Sequence, residues 1–227
     1  MSDIQSFLVS QLILLPLIIG LIRIRKIQSS YYPFLALIAL GEINEVVSFV
    51  CIRNYGTNVV PFNIYSLLEC LLILYQFYRW RFYAKQRSWY WAVPALLILT
   101  WIIEYLAFKQ ITRFAFVFRI SYAFLIVMLS INEINYLITH ENRQLFKNAR
   151  FLICMGFIIY FLYQILFEGA YLILERDKDE VVSNQVIRLQ VYVNALANII
   201  FAWAMWFVPQ KIVGFDRAME NYRKQYH

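Results

Sequence analysis

Long apolar stretches separated by short polar gaps make up almost all of this 227-residue chain. A helix crosses a hydrocarbon layer of about 30 Å with roughly 20 residues, at about 1.5 Å per residue. Seven stretches approach or exceed this length, near residues 5–22, 31–52, 59–78, 89–108, 114–139, 151–174 and 186–207. The pattern predicts an all-α fold, a bundle of seven transmembrane helices, with residues 1–208 as its single domain.

The lysines and arginines alternate from one gap to the next. Of the 21, fourteen follow the first, third, fifth and seventh stretches, and five fall in the other gaps. Short loops rich in Lys and Arg remain in the cytoplasm when a membrane protein inserts. We therefore expect the N-terminus outside and the C-terminus inside, with residues 209–227 forming a basic tail at the cytoplasmic interface.

The composition supports a membrane protein independently of the loop charges. Hydrophobic residues make up 62% of the chain and charged residues 15%, whereas an ordinary soluble domain carries about 25% charged residues. The formal net charge of +7 comes mainly from residues beside the ends of the apolar stretches. This placement favours anionic lipid at the cytoplasmic face as the partner, and not nucleic acid. We expect a multi-pass protein of the cytoplasmic (inner) membrane of a bacterium.

Six glutamates interrupt the apolar stretches, namely Glu42, Glu45, Glu69, Glu104, Glu133 and Glu168. Ionisable groups at membrane depth are costly and usually face the bundle interior, a partner or a water-filled cavity. Arg119 and Arg188 are the cations within the stretches, and each should lie near an acidic group. Their depths favour Glu168, Glu104 and Glu45 as partners. The four remaining carboxylates need protonation, water or a cationic ligand.

Polar residues recur at spacings of three and four, which place them on one face of a helix. The stripes are Asn63, Ser66, Glu69, Ile73 and Gln76 in the third stretch, Arg119, Tyr122, Ile126, Ser130 and Glu133 in the fifth, and Gln190, Asn194 and Asn198 in the seventh. Stripes that face one axis would line a pocket in the outer half of the bundle. The alternative for the Asn and Gln residues is structural, as interhelical hydrogen bonds of about 0.6 kcal/mol each.

The polar residues of the outer half and of the membrane centre form the predicted ligand site. Its members are Glu45, Asn63, Tyr65, Glu69, Glu104, Arg119, Gln164, Glu168, Arg188 and Asn194. Because they combine carboxylates, guanidinium groups and amides, we expect them to bind a small ligand or the polar face of a partner helix.

Several kinds of chemistry are excluded by residue position. All lysines and all aspartates lie outside the apolar stretches, which removes a retinal Schiff base and a paired-aspartate intramembrane protease. Two histidines and three cysteines without CxxC spacing cannot form a metal cluster or a Ser-His pair in the membrane. The glycines form no phosphate loop or dinucleotide fingerprint. We expect no catalytic residue, no metal and no cofactor.

Short gaps leave no room for a soluble effector domain within the bundle. The chain is therefore expected to be a membrane sensor or accessory subunit that relays ligand occupancy to a membrane or cytoplasmic protein partner. The alternative is a small-solute or proton-coupled transporter, in which Glu42, Glu69 and Glu133 form a relay graded in depth. A membrane enzyme is the least favoured class.

Overall fold

The computed structural model describes residues 3–80, 87–108, 116–140, 144–177 and 180–211. Helices account for nearly all residues in these ranges, and none of them lies in a strand. The all-α prediction is therefore confirmed. Most of the predicted basic tail, from residue 212 onward, lies outside the described residues.

The helices follow the apolar stretches in order. They are α1 (Asp3–Ser10), α2 (Leu14–Arg23), α3 (Tyr32–Tyr55), α4 (Val59–Arg79), α5 (Arg87–Phe108), α6 (Phe116–His140), α7 (Ala149–Asp177) and α8 (Glu180–Phe207). Single 3-10 turns precede α2, α3 and α7 at Gln11–Ile13, Ser29–Tyr31 and Leu145–Lys147. The first apolar stretch thus corresponds to two helices, and each later stretch to one.

A proline explains the division of the first stretch. Pro16 lacks the N–H group that would donate to the carbonyl of Leu12 in a continuous α-helix, and its ring crowds that carbonyl. The turn Gln11–Ile13 adopts 3-10 geometry, and the torsions on both sides of it remain helical. The chain therefore stays helical from α1 to α2 while its hydrogen bonding changes for one turn.

Two helices continue beyond their apolar stretches. The sequence pattern ends the sixth stretch near residue 174 and begins the seventh near 186, whereas α7 reaches Asp177 and α8 starts at Glu180. Glu, Lys, Arg and Gln are good helix formers, so a polar segment can extend a helix without apolar packing. The pattern marks where the chain becomes polar, which differs from where its helices end.

Five helical segments are long and apolar enough to cross a membrane, namely Ser29–Tyr55, Val59–Arg79, Phe116–His140, Ala149–Ala170 and Leu189–Phe207. Two further apolar helical segments of the described chain, Phe7–Arg23 and Ala92–Glu104, are shorter. By length and composition, this helical protein is therefore suited to cross a membrane several times.

The gaps richest in Lys and Arg meet at one end of the structure, which we call the basic end. Here Arg79 at the end of α4 donates to Ser29 Oγ across 3.3 Å. The backbone N–H of Gln28 donates to Pro209 O at 2.9 Å, beyond the end of α8. These contacts join the gap after the first stretch to those after the third and the seventh, so alternate gaps lie side by side.

Five aromatic side chains pack together next to the basic end and form what we call the aromatic cluster. Phe34, Phe77 and Phe157 are almost completely buried, and Trp80 and Phe201 contact them. The ring centroids of Phe34 and Phe201 lie 5.3 Å apart, and those of Phe77 and Trp80 lie 5.5 Å apart, both in edge-to-face geometry. Such packing joins α3, α4, α7 and α8 and fills the space between them.

One arginine closes the C-terminal end of α8. Arg23, the last residue of α2, donates through Nη1 to the carbonyl oxygens of Met205 and Trp206. Its Nη2 donates to Val208 O at 3.1 Å. The last carbonyls of a helix have no partner within the helix and carry partial negative charge, so a guanidinium group stabilises them.

Arg23→Gln should therefore lower the free energy of unfolding in detergent by about 1.5–3 kcal/mol, the scale of hydrogen bonds to charged groups. Arg25→Gln is the matched control, because Arg25 is exposed at the same end of the bundle and its substitution removes the same charge. Thermal unfolding of both variants checks the prediction. Equal stability of the two variants would show that the contacts to α8 contribute nothing.

Candidate functional site

The centre of the candidate site is Glu69, which α4 carries into the bundle interior. The residue is 5% exposed. Its Oε1 accepts a hydrogen bond from the hydroxyl of Tyr65, and its Oε2 accepts one from the hydroxyl of Tyr122, each at 2.8 Å. Tyr65 lies one turn before Glu69 on α4, whereas Tyr122 comes from α6. Hydrogen bonds of this kind offset part of the cost of burying a carboxyl group.

The hydrogen bonding continues to a third helix. Gln164 of α7 donates through Nε2 to the Tyr122 hydroxyl at 3.0 Å, and both residues are almost fully buried. The chain of contacts from Glu69 through Tyr122 to Gln164 thus connects α4, α6 and α7. In an apolar environment such a network holds the helices in one relative position.

A cavity of about 50 Å³ lies beside Glu69, and we call it the Glu69 cavity. Its polar wall contains Tyr65, Glu69 and Tyr160 together with Asn194 and Asn198 of α8. The remaining lining is apolar and includes residues of α3 and α7. This volume has room for water, and the polar groups could bind it.

A second, larger cavity of about 680 Å³ lies at the end of the bundle opposite the basic end, and we call it the polar groove. Residues of α1, α3, α7 and α8 and the start of α4 line it. The polar wall consists of Ser10, Asn44, Glu45, Ser48, Arg53, Asn58, Gln190 and Asn194, and aromatic rings add apolar surface. Its size falls within the range of about 300–1,000 Å³ that is typical of small-molecule sites.

Two side chains belong to both cavities. Tyr160 of α7 and Asn194 of α8 line the polar groove and also line the Glu69 cavity. Both side chains are partly buried, and Asn194 accepts a hydrogen bond from Asn198 at 3.2 Å. The boundary between the groove and Glu69 therefore consists of two side chains that could change rotamer.

Arg119 forms the ion pair that the sequence predicts. Its Nη2 lies 2.5 Å from Glu168 Oε1, and both side chains are almost fully buried. The guanidinium carbon also lies 4.4 Å from the ring centroid of Phe62, in cation–π geometry. The expected pairing of Arg119 with Glu168 is thus confirmed. The side chain of Arg188 lies outside the described part of the structure, so its predicted pairing stays a prediction.

Glu104 stabilises the start of a helix. Its Oε1 accepts a hydrogen bond from the backbone N–H of Val117 at 3.1 Å, and its Oε2 accepts one from Phe118 at 2.9 Å. These N–H groups belong to the first turn of α6, where the helix dipole favours negative charge. Glu104 does not line the Glu69 cavity or the polar groove.

Glu133 has a cationic neighbour, Arg150, that the sequence analysis did not predict because it placed Arg150 in a loop. Arg150 Nη1, at the start of α7, lies 3.7 Å from Glu133 Oε1.

Glu42 and Glu45 lie one turn apart on α3, where Glu45 lines the polar groove. One oxygen of Glu42 is buried without a hydrogen-bond partner among the described residues.

The predicted stripes of α4 and α6 face the interior. Every member, from Asn63 to Gln76 and from Arg119 to Glu133, is almost fully buried. At Gln76 the structural alternative is correct, because its Oε1 accepts from the backbone N–H of Phe34 and its Nε2 donates to Ser30 O, each at 2.8 Å. On α8, Asn194 and Asn198 face the Glu69 cavity, and Gln190 and Asn194 face the groove.

The ten predicted ligand residues are distributed over several places. Tyr65, Glu69 and Asn194 meet at the Glu69 cavity, Gln164 joins them through Tyr122, and Glu45 lines the groove. Asn63 is fully buried on α4, and its backbone carbonyl accepts from the indole of Trp101 at 3.4 Å. Arg119 and Glu168 line neither cavity, although Arg119 contacts Phe62, which lines the polar groove.

The predicted ligand set omitted several residues of the site. These are Tyr122, Tyr160 and Asn198 near Glu69, and Ser10, Asn44, Ser48, Arg53, Asn58 and Gln190 in the groove. Tyr122 occupies its predicted stripe, and its position on that stripe was a usable signal. Tyr160 gave no such signal, because an aromatic residue in an apolar stretch usually contributes only to packing.

Comparison with protein-family models, curated proteins and solved structures finds no match to this chain.

Arg119→Leu should lower the free energy of unfolding by about 3–5 kcal/mol, because it leaves Glu168 as an uncompensated buried charge. The double variant Arg119→Leu/Glu168→Leu should recover part of that loss. Arg53→Leu is the control, since Arg53 is exposed and its loss should cost less than about 1 kcal/mol. Thermal unfolding in detergent measures all three, and an Arg119→Leu variant as stable as Arg53→Leu would contradict the prediction.

Proposed function

We propose that this protein is a membrane sensor or accessory subunit whose polar groove binds a ligand at the outer face of a bacterial cytoplasmic membrane. In this proposal the chain crosses the membrane seven times, with its N-terminus outside, and the basic end faces the cytoplasm. The meeting of alternate basic gaps at one end supports this arrangement, because Lys and Arg in short loops favour the cytoplasmic side.

The observation that carries the proposal is the difference between the two ends of the bundle. The polar groove shares two lining residues with the Glu69 cavity. On the other side of that cavity, Phe157 and Phe201 contribute to its lining and also belong to the aromatic cluster. The groove thus borders the Glu69 cavity across the two shared side chains, and close-packed rings bound that cavity towards the basic end. This is the arrangement of a binding site with one entrance.

The composition of the groove suggests the kind of ligand. Glu45 supplies a carboxylate, and amides and hydroxyls of Asn44, Ser48 and Asn194 supply hydrogen bonds. The rings of Phe7 and Phe49, 4.4 Å apart, add apolar surface. Because Arg53 also lies in this wall, a small molecule that combines a charged or hydrogen-bonding group with an apolar part fits the groove. A partner helix with one such side chain fits it equally.

A bound group could affect the bundle through Glu69. Glu69 of α4 is hydrogen-bonded to Tyr122 of α6, which is hydrogen-bonded to Gln164 of α7. A ligand that competes for Glu69 or for its partner Tyr65 would therefore weaken the connection between these helices. A change in helix position is the kind of signal that a partner protein in the membrane or cytoplasm can detect. The proposed role needs no catalytic group, metal or cofactor.

The alternative is a proton-coupled or small-solute transporter. The Glu69 cavity favours it, since a water-sized space beside a buried carboxyl group is a usual element of a proton path. Two features oppose a relay through Glu42, Glu69 and Glu133. The aromatic cluster occupies the basic-end side, and Arg150 lies 3.7 Å from Glu133.

Cysteine labelling tests the orientation and the groove together. In a variant without the native cysteines, Gln190→Cys, which lines the groove and is only partly buried, and Ser183→Cys should react with a membrane-impermeant maleimide added to intact cells. Gln144→Cys, at the basic end, should react only after the cells are permeabilised. Labelling of Gln144→Cys from outside would overturn the orientation, and an unreactive Gln190→Cys would contradict an open groove.

Transport is tested with purified protein in liposomes that carry a pH gradient. We expect no protein-dependent proton flux for wild type or for Glu69→Gln, because the aromatic cluster separates Glu69 from the basic end. An internal pH dye reports flux, and a protonophore provides the positive control. Strong wild-type flux that disappears in Glu69→Gln would make transport the primary function.

A further inference from the structure

A second candidate binding region lies at the basic end, away from Glu69. Two adjoining cavities of about 760 and 590 Å³ share Gln28 and Arg150 in their walls, and we call them together the basic cleft. Arg79 and Arg150 line the larger cavity, and Lys147 lines the smaller one. The start of α7, where the helix dipole is positive, forms part of the wall of the smaller cavity.

Two hydrogen-bonding groups of the cleft lack partners. Trp80 is 4% exposed, and its indole Nε1 has no hydrogen-bond partner in the described structure. The same holds for Ser30 Oγ, and both residues line the larger cavity. An indole N–H can only donate. Buried donors without acceptors are costly, so a bound acceptor would stabilise this region.

The cations of the cleft are only partly neutralised. Arg150 lies 3.7 Å from the buried Glu133, and its guanidinium carbon lies 5.9 Å from the Trp80 ring centroid. Arg79 donates to a neutral hydroxyl, that of Ser29. The cleft therefore combines an excess of positive charge with unpaired donors, and a phosphate group supplies both negative charge and several acceptor oxygens.

We propose that the basic cleft binds an anionic phosphate group, that of a lipid headgroup or of a soluble phosphate compound, between Arg79, Arg150 and the unpaired donors of Ser30 and Trp80. Basic pockets between transmembrane helices at one membrane face bind headgroups in this way. The site is independent of the polar groove. It also differs from a general attraction of basic loops to anionic lipid, because it assigns the contact to specific side chains.

The test uses the full chain, purified in a neutral detergent, with three probes: phosphatidylglycerol, phosphatidylcholine and inorganic phosphate. Binding is measured from the rise in unfolding temperature as each probe is titrated. Wild type should bind phosphatidylglycerol, inorganic phosphate or both, and should bind phosphatidylcholine more weakly. Binding of phosphatidylglycerol alone identifies a lipid headgroup, whereas saturable binding of inorganic phosphate identifies a soluble source.

Arg79→Gln and Trp80→Phe should each weaken that binding by about tenfold, the effect of losing one charge-assisted hydrogen bond or one buried donor. Arg25→Gln removes the same charge from the same end outside the cleft lining, and should change binding by less than about twofold. Arg79 is exposed, so its variant should fold even if Trp80→Phe does not. The proposal is overturned if neither phosphatidylglycerol nor inorganic phosphate binds, or if Arg79→Gln binds like wild type. It is also overturned if Arg25→Gln weakens binding as much as Arg79→Gln does.

Discussion

Burying carboxyl groups among apolar helices is the constraint on which the rest of this structure depends. An unpaired carboxylate in such surroundings costs several kcal/mol or more, so each needs partners from neighbouring helices. Glu168 obtains an arginine, Glu104 the first N–H groups of α6, and Glu69 two tyrosine hydroxyls. Because Arg119 comes from α6 and Glu168 from α7, satisfying the acids also fixes which helices are neighbours.

The two ends of the bundle differ in how their side chains are packed. Towards the basic end, edge-to-face rings such as Phe34 and Phe157 fill the space between the helices. Gln76 accepts a hydrogen bond from the start of α3, and Arg23 donates to the end of α8, so both side chains hold helix ends. Towards the opposite end, polar side chains line a groove. Close packing gives rigidity, whereas incompletely satisfied polar groups favour water or a ligand. The proposed site lies where these two regions meet.

The same residue types occur in interhelical hydrogen bonds and in the walls of the cavities. Gln76 and Glu104 are fully engaged in holding helix starts. Asn194 has the same kind of side chain as Gln76, yet it lies between two cavities. Residue type therefore does not separate a side chain that lines a cavity from one that makes a structural bond. What separates them is whether backbone partners of a neighbouring helix lie within reach.

The sequence by itself determined the helical class, the order of the helices and the inward faces of α4 and α6. Apolar length and the spacing of Glu69, Arg119 and their stripes contain that information, because helix periodicity is local. Only the tertiary structure decided the partners. Arg150 reads as a loop cation and yet reaches Glu133, and Tyr160 reads as packing and yet separates two cavities. Such contacts depend on how distant helices are placed, which no local pattern encodes.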